Sequence, residues 1–236
     1  MKQLSDIYLD SSDCNYIKGI STNMTYFFAT DLDEQELDYV LKNGFRKFGN
    51  FFFINNCPNC FKCIPIRVLV DRFIITKEWN RVIKKNSDIR MEIKELCFRE
   101  AIFEMYKDHK SRFNKSDEII NEDNHYNEDI ENFKESFFFK SCPSLQVEYY
   151  LGEELIAVDF LDKSNNGLSS AYFIFKTKYS KRGLGNYSVI KEIEYAKNMG
   201  LKYYYLGYYI KENPKMEYKN KFKPNEKMDW KSGLWK

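Results

Sequence analysis

The stretch QVEYYLGEELIAVDFL, residues 146–161, decides the fold, because two apolar strands meet there across a short Gly-Glu-Glu turn. A third strand, LSSAYFIF, follows at residues 168–175 after the turn signal Ser-Asn-Asn-Gly. The segment KRGLG, residues 181–185, precedes an amphipathic helix over residues 187–199. A further strand, LKYYYLGYYI, occupies residues 201–210. The order along the chain is therefore strand, strand, strand, glycine turn, helix, strand.

This order resembles the acyltransferase fold of the Gcn5-related N-acetyltransferases. The chain has 236 residues, which is enough for one large domain or two small ones that share a core. We predict a mixed α/β (α+β) protein whose C-terminal domain, residues 101–236, has a Gcn5-related N-acetyltransferase-like fold. Residues 1–100 are predicted to form a cysteine-bearing N-terminal lobe.

Apolar spacing predicts five elements in the N-terminal half. Residues 31–43 fit a short helix that ends at Gly44 in its C′ position. The segment FRKFGNFFFI, residues 45–54, predicts two short strands joined by a tight turn. Residues 64–70 alternate apolar and other side chains as a strand does, and residues 78–110 predict helix.

The two histidines flank or lie in the polar, acidic segment 111–135, which predicts a loop-rich connector. We interpret both His109 and His125 as exposed loop residues. A Ser/His/Asp or Cys/His catalytic arrangement then lacks a base.

Charge is segregated along the chain although the net charge is only +2. Residues 62–94 hold nine Lys/Arg against four Asp/Glu, and residues 201–236 hold nine against four. Residues 115–135 hold two Lys against eight acids. One interpretation is solvated surface with chance segregation; the other is two basic surfaces that meet around a polyanion.

The sequence has neither the pattern of a secretory signal nor that of a membrane span, and we therefore expect a cytoplasmic protein. The first residues are polar, with Asp6 and Asp10 where a secretory signal carries positive charge and then an apolar core. No apolar run approaches the ~20 residues that span a bilayer, so no membrane partner is expected. In a cytoplasmic protein the six cysteines are not expected to form disulfides.

Three cysteines recur at intervals of three residues in Cys57-Pro-Asn-Cys60-Phe-Lys-Cys63. Three thiolates at this spacing can surround one soft cation, and a fourth completes a zinc site or holds an iron–sulfur cluster. Cys14 is the best fourth candidate, since Cys97 lies in a helical apolar pattern. Spacing does not separate zinc from iron–sulfur, and burial without metal is the remaining alternative.

The turn Arg182-Gly183-Leu-Gly185-Asn186 has the features of a phosphate-binding segment. Its backbone N–H groups, with the positive end of the helix that follows, can bind phosphate. A plain strand-to-helix turn is the alternative. Tyr187 departs from the Gcn5-type consensus, which argues against coenzyme A and is compatible with another phosphate-bearing acyl donor.

Four further side chains are candidates for direct chemistry. Arg67, Arg72 and Lys219 suit capture of a carboxylate, with a surface cation as the alternative role for each. Asp159 ends the apolar run AVDF and is either a structural hydrogen-bond acceptor or a group that orients an attacking amine.

The chain also resembles the arginyl-tRNA–protein transferase family, most closely its short bacterial branch, the aspartate/glutamate leucyltransferases. The resemblance is carried by TNMTYFFATDL, GFRKFGNFFF, CPNCFKCIPIRVLVDRF, WNRVIKKNSD, SSAYFIF, LGNYSVIKEIEYAKNMGLKYYYLGYYI and PKMEYK, in the family's order. It implies an aminoacyl-tRNA donor, Leu-tRNA or Arg-tRNA, and acceptor proteins that begin with Asp or Glu. Such tagging marks the acceptor for degradation by the N-degron pathway.

The proposed donor explains what the sequence does not contain. An aminoacyl ester is already activated, so no ATP site is needed, and the chain has no Walker-type motif. The acceptor α-amine has an ordinary pKa near 7.7–8.0, so positioning and charge stabilisation dominate catalysis.

Specific roles follow as hypotheses. Arg67 and Lys219 bind the acceptor's acidic side chain, supported by Arg72 and Tyr218. Residues 182–186 face the 3′-terminal phosphates of the tRNA. Asp159 and Tyr172 are candidates for orienting the amine or relaying protons. The rivals are an acyl-coenzyme A-dependent acyltransferase and a metal-bearing RNA-binding module without enzymatic activity.

Overall fold

Two β-sheets organise the protein, whose computed structural model describes residues 1–14, 16–17, 19–114 and 130–236. The smaller sheet is antiparallel and has the strand order β1-β3-β5-β4, with β2 also paired to β3. Its strands are β1 (Lys2–Gln3), β2 (Tyr8–Asp13), β3 (Ser21–Thr30), β4 (Arg46–Phe48) and β5 (Phe51–Asn55).

The larger sheet has seven strands in the order β12-β6-β11-β10-β9-β8-β7. The pairing of β10 with β11 is parallel, and the other pairings are antiparallel. A parallel neighbour requires a crossover, which a helix supplies here. The strands are β6 (Ile64–Leu69), β7 (Ile89–Lys94), β8 (Ser144–Leu151), β9 (Glu154–Lys163), β10 (Gly167–Phe175), β11 (Tyr203–Tyr209) and β12 (Asn225–Lys227).

Helices cover the sheets and bridge their edges. α1 begins with a capping box in which the Asp33 carboxylate accepts from the Glu36 amide and the Glu36 side chain accepts from the Asp33 amide. The α-helices are α1 (Glu34–Lys42), α2 (Lys77–Lys85), α3 (Glu100–Asn114), α4 (Ile130–Phe137), α5 (Leu184–Asn198) and α6 (Pro214–Glu217). Short 3₁₀ helices occupy Val70–Arg72, Thr177–Arg182 and Tyr218–Lys221.

The larger sheet is buried on both faces. Ile156 and Leu161 of β9 belong to the core beneath α5, whereas Val158 and Phe160 belong to the core beneath α3 and α4. Fully burying a side chain of this size contributes about 1.5–3 kcal/mol. Both faces therefore hold helices, and the backbone of β9 and β10 is fixed between them.

Most predicted elements are confirmed, with one exception. The helix at 31–43, the strand pair at 45–54 and the C-terminal order of strands, turn and helix are all present. The helix predicted over 78–110 is wrong in its middle, because Ile89, Met91 and Ile93 alternate in the strand β7. The predicted division at residue 100 stays a prediction; β6 and β7, which precede that residue, are strands of the larger sheet.

Candidate active site

A cavity of about 1260 Å³ lies where the two sheets meet. Arg46, Phe48 and Phe53 of the smaller sheet form one wall, and Ser170 to Phe173 of β10 form another. The segment 206–219, which runs from β11 past α6, closes a further side with all its residues except Tyr209 and Glu217. The first turn of α5 contributes Gly185.

Cations dominate the charged part of the cavity lining. Among the described residues that line the cavity, six are Lys or Arg and one is an acid, Glu212. A cleft lined by one sign of charge concentrates ions of the opposite sign. The six cations are Arg46, Lys62, Arg112, Lys211, Lys215 and Lys219.

Arg46 is held in the cavity wall by polar contacts to β10. Its Nη1 donates to Ser169 Oγ at 2.6 Å, and its Nη2 donates to the carbonyl of Ser170. Burial lowers the pKa of Arg46 from its ordinary value. Gly207 has φ +86°, and a Cβ there would lie 3.3 Å from Arg46 Nε, so the glycine leaves room for the guanidinium.

Lys219 reaches the same cavity from the larger sheet's side. Its Nζ donates to the carbonyl of Tyr208 at 2.9 Å. Burial, and next the positive charge of Arg46, lower its pKa from 10.5 to about 7. Within residues 1–14, 16–17, 19–114 and 130–236, neither Arg46 nor Lys219 forms an ion pair. Two neighbouring cations without a carboxylate partner make a site for a bound anion.

A buried acid pair lies directly behind the cavity wall. Ser170 Oγ, in the wall, donates to Asp159, with its oxygen 3.0 Å and 2.9 Å from the two carboxyl oxygens. Asp159 is hydrogen-bonded in turn to Glu192, which accepts from Tyr149 at 2.6 Å and from Tyr204. Burial, with the neighbouring Glu192 carboxyl, raises the pKa of Asp159 well above its usual range. Burial also raises the pKa of Glu192 to about 7.

These values describe a pair that shares a proton. Two adjacent buried carboxyls do not both ionise, so one proton is retained when the other leaves near neutral pH. Ser170 connects this pair to the cavity.

His109 is buried and was wrongly predicted to lie in an exposed loop. It is 4% exposed because α3 continues to Asn114 and packs against β10. Its Nδ1 accepts from the Phe175 amide at 3.1 Å, and its Nε2 lies 2.9 Å from Arg112 Nη2. Burial, with the nearby charge of Arg112, lowers its pKa to about 4. The other histidine, His125, lies outside the described residues.

Five predicted site residues line the cavity. They are Cys14, Tyr172, Gly185, Tyr218 and Lys219. Tyr172 stacks on Phe137 with ring centroids 5.1 Å apart, and burial raises the pKa of Tyr218 to about 12. Asp159 lies one hydrogen bond behind these residues.

The two arginines predicted to bind the acceptor do not line the cavity. Arg67 is 6% exposed and pairs with Glu226 at 2.8 Å, with its guanidinium 3.7 Å from the Tyr203 ring centroid. Glu226 already neutralises its charge, and a role of Arg67 in binding the acceptor stays a prediction. Arg72 is exposed in the 3₁₀ helix that follows β6, away from the residues that form the cavity.

The glycine turn only partly faces the cavity. Gly183 has φ +71° and caps the N-terminus of α5, and Gly185 in the first turn lines the cavity. Neither Gly183 nor Asn186 lines the cavity. Arg182 is engaged elsewhere, since its two terminal nitrogens donate to Asp88 at 3.0 Å and 2.7 Å.

The four cysteines predicted to bind metal are neighbours. The pKa of Cys63 is raised to about 11, first by burial and then by the proximity of Cys14, Cys57 and Cys60. The Asn23 amide donates to Cys57 Sγ at 3.4 Å, a contact that suits a thiolate. In the part of the chain that the structure describes, no three Cys, His, Asp or Glu side chains have the arrangement of a metal site.

Arg46 and His109 were missed although the sequence carried a signal for each. Ile102, Met105 and His109 recur at helical spacing, which places the histidine on the buried face of α3. Arg46 and Phe48 lie on the same face of β4, because side chains alternate between the two faces of a strand. The meeting of that strand with β10 is a tertiary contact that local pattern does not contain.

The fold and cavity define a mixed α/β protein with a cation-lined cavity beside a buried acid pair. Sequence comparison identifies the family to which the chain belongs. The family described as "Arginine-tRNA-protein transferase, N terminus" matches residues 12–81, and "Arginine-tRNA-protein transferase, C terminus" matches residues 101–229. The chain belongs to the arginine-tRNA–protein transferase family. It is an aminoacyl-tRNA–protein transferase, and aminoacyl-tRNA is its substrate.

Individual relatives cover nearly the whole chain. An aspartate/glutamate leucyltransferase of Helicobacter hepaticus is 28% identical over 229 residues, covering 95% of this chain and 92% of that protein. One of Marinobacter nauticus is 28% identical, with 95% and 92% covered. One of Leptospira interrogans is 27% identical, with 89% and 81% covered.

A solved structure, that of L-PGS from Bacillus licheniformis, matches with a TM-score of 0.46 and 13% identity. The match covers 73% of this chain and 57% of that one. Among the described residues, no helix combines the length and apolar character needed to cross a membrane.

Proposed function

We propose that this enzyme moves leucine from Leu-tRNA onto the N-terminal amine of proteins that begin with Asp or Glu. The observation that carries the proposal is the pair of cations Arg46 and Lys219, which have no carboxylate partner among the described residues. An acidic side chain at the acceptor's first position supplies that carboxylate. The names of the bacterial relatives agree with this choice of acceptor.

The cavity lining favours leucine over arginine as the donated residue. Beside its cations the cavity has apolar walls, and an arginyl group would add a positive charge to an already positive site. A leucyl side chain is compatible with the apolar part. That part includes Phe48, Phe53, Phe173, Phe175, Leu206 and Ile210.

The architecture suits an acyl transfer of the Gcn5-related N-acetyltransferase type. The run from β8 through β11, with α5 after the glycine turn, has the strand and helix order of that fold. In our proposal the amide groups at the N-terminus of α5, near Gly185, receive a phosphate of the tRNA 3′ end. Arg182 is assigned no part in this phosphate contact, because it forms an ion pair with Asp88. The smaller sheet and the cysteine segment form the second lobe.

The reaction exchanges one acyl bond for another. The neutral α-amine attacks the ester carbonyl carbon, a C–N bond forms, and the C–O bond to the ribose breaks. The amine loses a proton to Ser170 Oγ, the proton of Ser170 passes to Asp159, and the proton already on Asp159 passes to its partner Glu192, so that the acid pair then holds two protons. The proton returns by the same path to the ribose oxygen. Tyr172, in the same wall, orients the amine.

The cysteine cluster is proposed to hold zinc or an iron–sulfur cluster through Cys14, Cys57, Cys60 and Cys63. Bound there, the group would cross-link the segment after β2 to the segment after β5. Because Cys14 lines the cavity, this link stabilises one of its walls. We assign the metal no part in the transfer step. In cells the leucylated protein becomes a substrate of the N-degron pathway in the cytoplasm.

A transfer assay with defined donors tests the proposal. Purified enzyme is incubated with labelled Leu-tRNA or Arg-tRNA and with peptides that begin with Asp, Glu, Gln or Ala. Transfer of leucine to Asp and Glu peptides alone is expected, and Arg46→Met removes the preference for Glu over Gln. Transfer from Arg-tRNA alone, or turnover of acyl-coenzyme A, overturns it. Binding of tRNA without transfer indicates a binding module.

A further inference from the structure

The outer face of the smaller sheet carries a row of aromatic rings. Phe27 and Phe52 point into the core, where they are 8% and 0% exposed. Their strand neighbours alternate to the opposite face and are part-exposed. We name this row the aromatic ridge; it consists of Tyr8, Tyr26, Phe28, Phe48, Phe51 and Phe53.

Adjacent rings of the ridge are in contact. Ring centroids are 5.4 Å apart for Tyr8 and Tyr26, 5.1 Å for Tyr26 and Phe51, and 5.4 Å for Phe51 and Phe53. Phe48 lies 5.7 Å from Phe53. Tyr8 is 45% exposed at the outer end.

The ridge is continuous with the cavity. In the pairing of β4 with β5, Arg46 lies opposite Phe53 and Phe48 lies opposite Phe51, so these four side chains share one face. Arg46, Phe48 and Phe53 also line the cavity. The ridge therefore begins at the anion site and extends outward across β5 and β3 to β2.

Its length matches a short run of nucleotides. From β4 to β2 the ridge crosses three strand spacings of about 4.8 Å, or about 14 Å. Stacked nucleotides advance about 3.4 Å each, so the ridge accommodates about four. Aromatic rings on a sheet face, beside a positively charged groove, are a general way of binding unpaired bases.

We infer that the aromatic ridge binds the unpaired nucleotides at the 3′ end of the charged tRNA by stacking and guides the aminoacyl ester into the cavity. The inference rests on the proposed function, because it requires the ester to react there. Cations of the cavity lining other than Arg46 and Lys219, such as Lys62 and Lys211, attract phosphates. Asp10, which shares the face of Tyr8 on β2, repels phosphate and marks the outer limit of the bound strand.

The alternative occupant is the acceptor protein beyond its first residue. If the acceptor polypeptide bound to the ridge, the ridge would contribute to the affinity for the acceptor, and its loss would raise the KM for the acceptor instead of the KM for Leu-tRNA. Kinetic constants for the two substrates therefore distinguish the occupants.

The test compares Tyr26→Leu with Tyr26→Phe, and uses Tyr39→Leu as a matched control. Tyr39 is 72% exposed on α1, outside the ridge. Stacking of one base is worth about 1–3 kcal/mol, which corresponds to about a 5- to 150-fold rise in KM for Leu-tRNA with Tyr26→Leu. Tyr26→Phe and Tyr39→Leu are expected to leave this KM within about twofold. The KM for the acceptor peptide stays unchanged in all three.

Two further measurements make the result independent of folding and of transfer. A minimal donor, 3′-leucyl-adenosine, lacks the preceding nucleotides, so Tyr26→Leu should leave its kcat/KM unaltered. Direct binding of a short unpaired oligoribonucleotide ending in CCA, followed by tyrosine fluorescence, should weaken by the same factor as the KM for Leu-tRNA.

Three results overturn the inference. They are an unchanged KM for Leu-tRNA in Tyr26→Leu, a raised KM for the acceptor peptide instead, and an equal loss of kcat/KM with 3′-leucyl-adenosine. If wild-type enzyme transfers no leucine at all, the proposed function fails, and oligoribonucleotide binding still decides whether the ridge binds unpaired bases.

Discussion

Replacing Lys219 tests how the enzyme recognises an acidic acceptor. Burial and the charge of Arg46 lower its pKa to about 7, so in the free enzyme the amine is charged below that pH and neutral above it. Binding of a carboxylate needs the charged form, whereas attack needs a neutral α-amine with an ordinary pKa of about 7.7–8.0. The two requirements oppose one another as pH rises.

The opposition predicts a narrow pH profile for kcat/KM. With a peptide that begins with Glu, wild-type enzyme should be fastest at about pH 7–8 and should lose activity on the alkaline side. A charge-assisted hydrogen bond is worth about 1.5–3 kcal/mol, so the loss by pH 9 is about tenfold to a hundredfold. With Lys219→Arg, whose guanidinium stays charged, activity should rise with pH and then level off.

Lys219→Met supplies the charge-free comparison. Its preference for a Glu peptide over a Gln peptide should fall by about tenfold to a hundredfold at pH 7, through loss of the same interaction. The assay measures initial rates of leucine transfer to both peptides from pH 6 to 9. The reasoning is refuted if Lys219→Arg keeps the alkaline decline of the wild type, or if Lys219→Met keeps the wild-type preference.

Three other perturbations probe the rest of the site. In steady-state assays Asp159→Asn should lower kcat by a factor of about 10²–10⁴ with little change in either KM, because proton transfer is lost. An unchanged kcat would show that the acid pair takes no part in the reaction. Gly207→Ala should strain a backbone at φ +86° and displace Arg46, lowering kcat/KM for Glu peptides more than for Gln peptides; an equal loss for both peptides would point to a folding defect. Where elemental analysis finds zinc or iron in the purified enzyme, removal of the metal with a chelator should lower the melting temperature measured by circular dichroism. The substitution Cys57→Ser should lower it as well. An unaltered melting temperature would contradict the cross-linking role.

Local pattern predicted elements well and failed where distant segments meet. Alternation in β6 placed Arg67 correctly on a strand, yet alternation does not reveal that Glu226 of β12 lies beside it and neutralises its charge. The same limit explains why Arg46 was missed. Its role depends on Ser169 and Ser170, which lie more than a hundred residues along the chain. Candidates that line the cavity, such as Tyr218 and Lys219, came from quoted family stretches.

The acid pair and the cation site depend on one another. Asp159 lies within electrostatic range of Arg46, and a fully ionised pair of carboxyls there would neutralise the cations that are needed for the substrate. Burial prevents this, because it raises the pKa values of Asp159 and Glu192 and retains a proton between them. The cation site thus stays available for an external carboxylate, while the same shared proton leaves the pair able to accept one more. Replacing Glu192 by Gln should therefore weaken proton transfer while it leaves the preference for acidic acceptors in place, and loss of that preference would show that the two sites are coupled in another way.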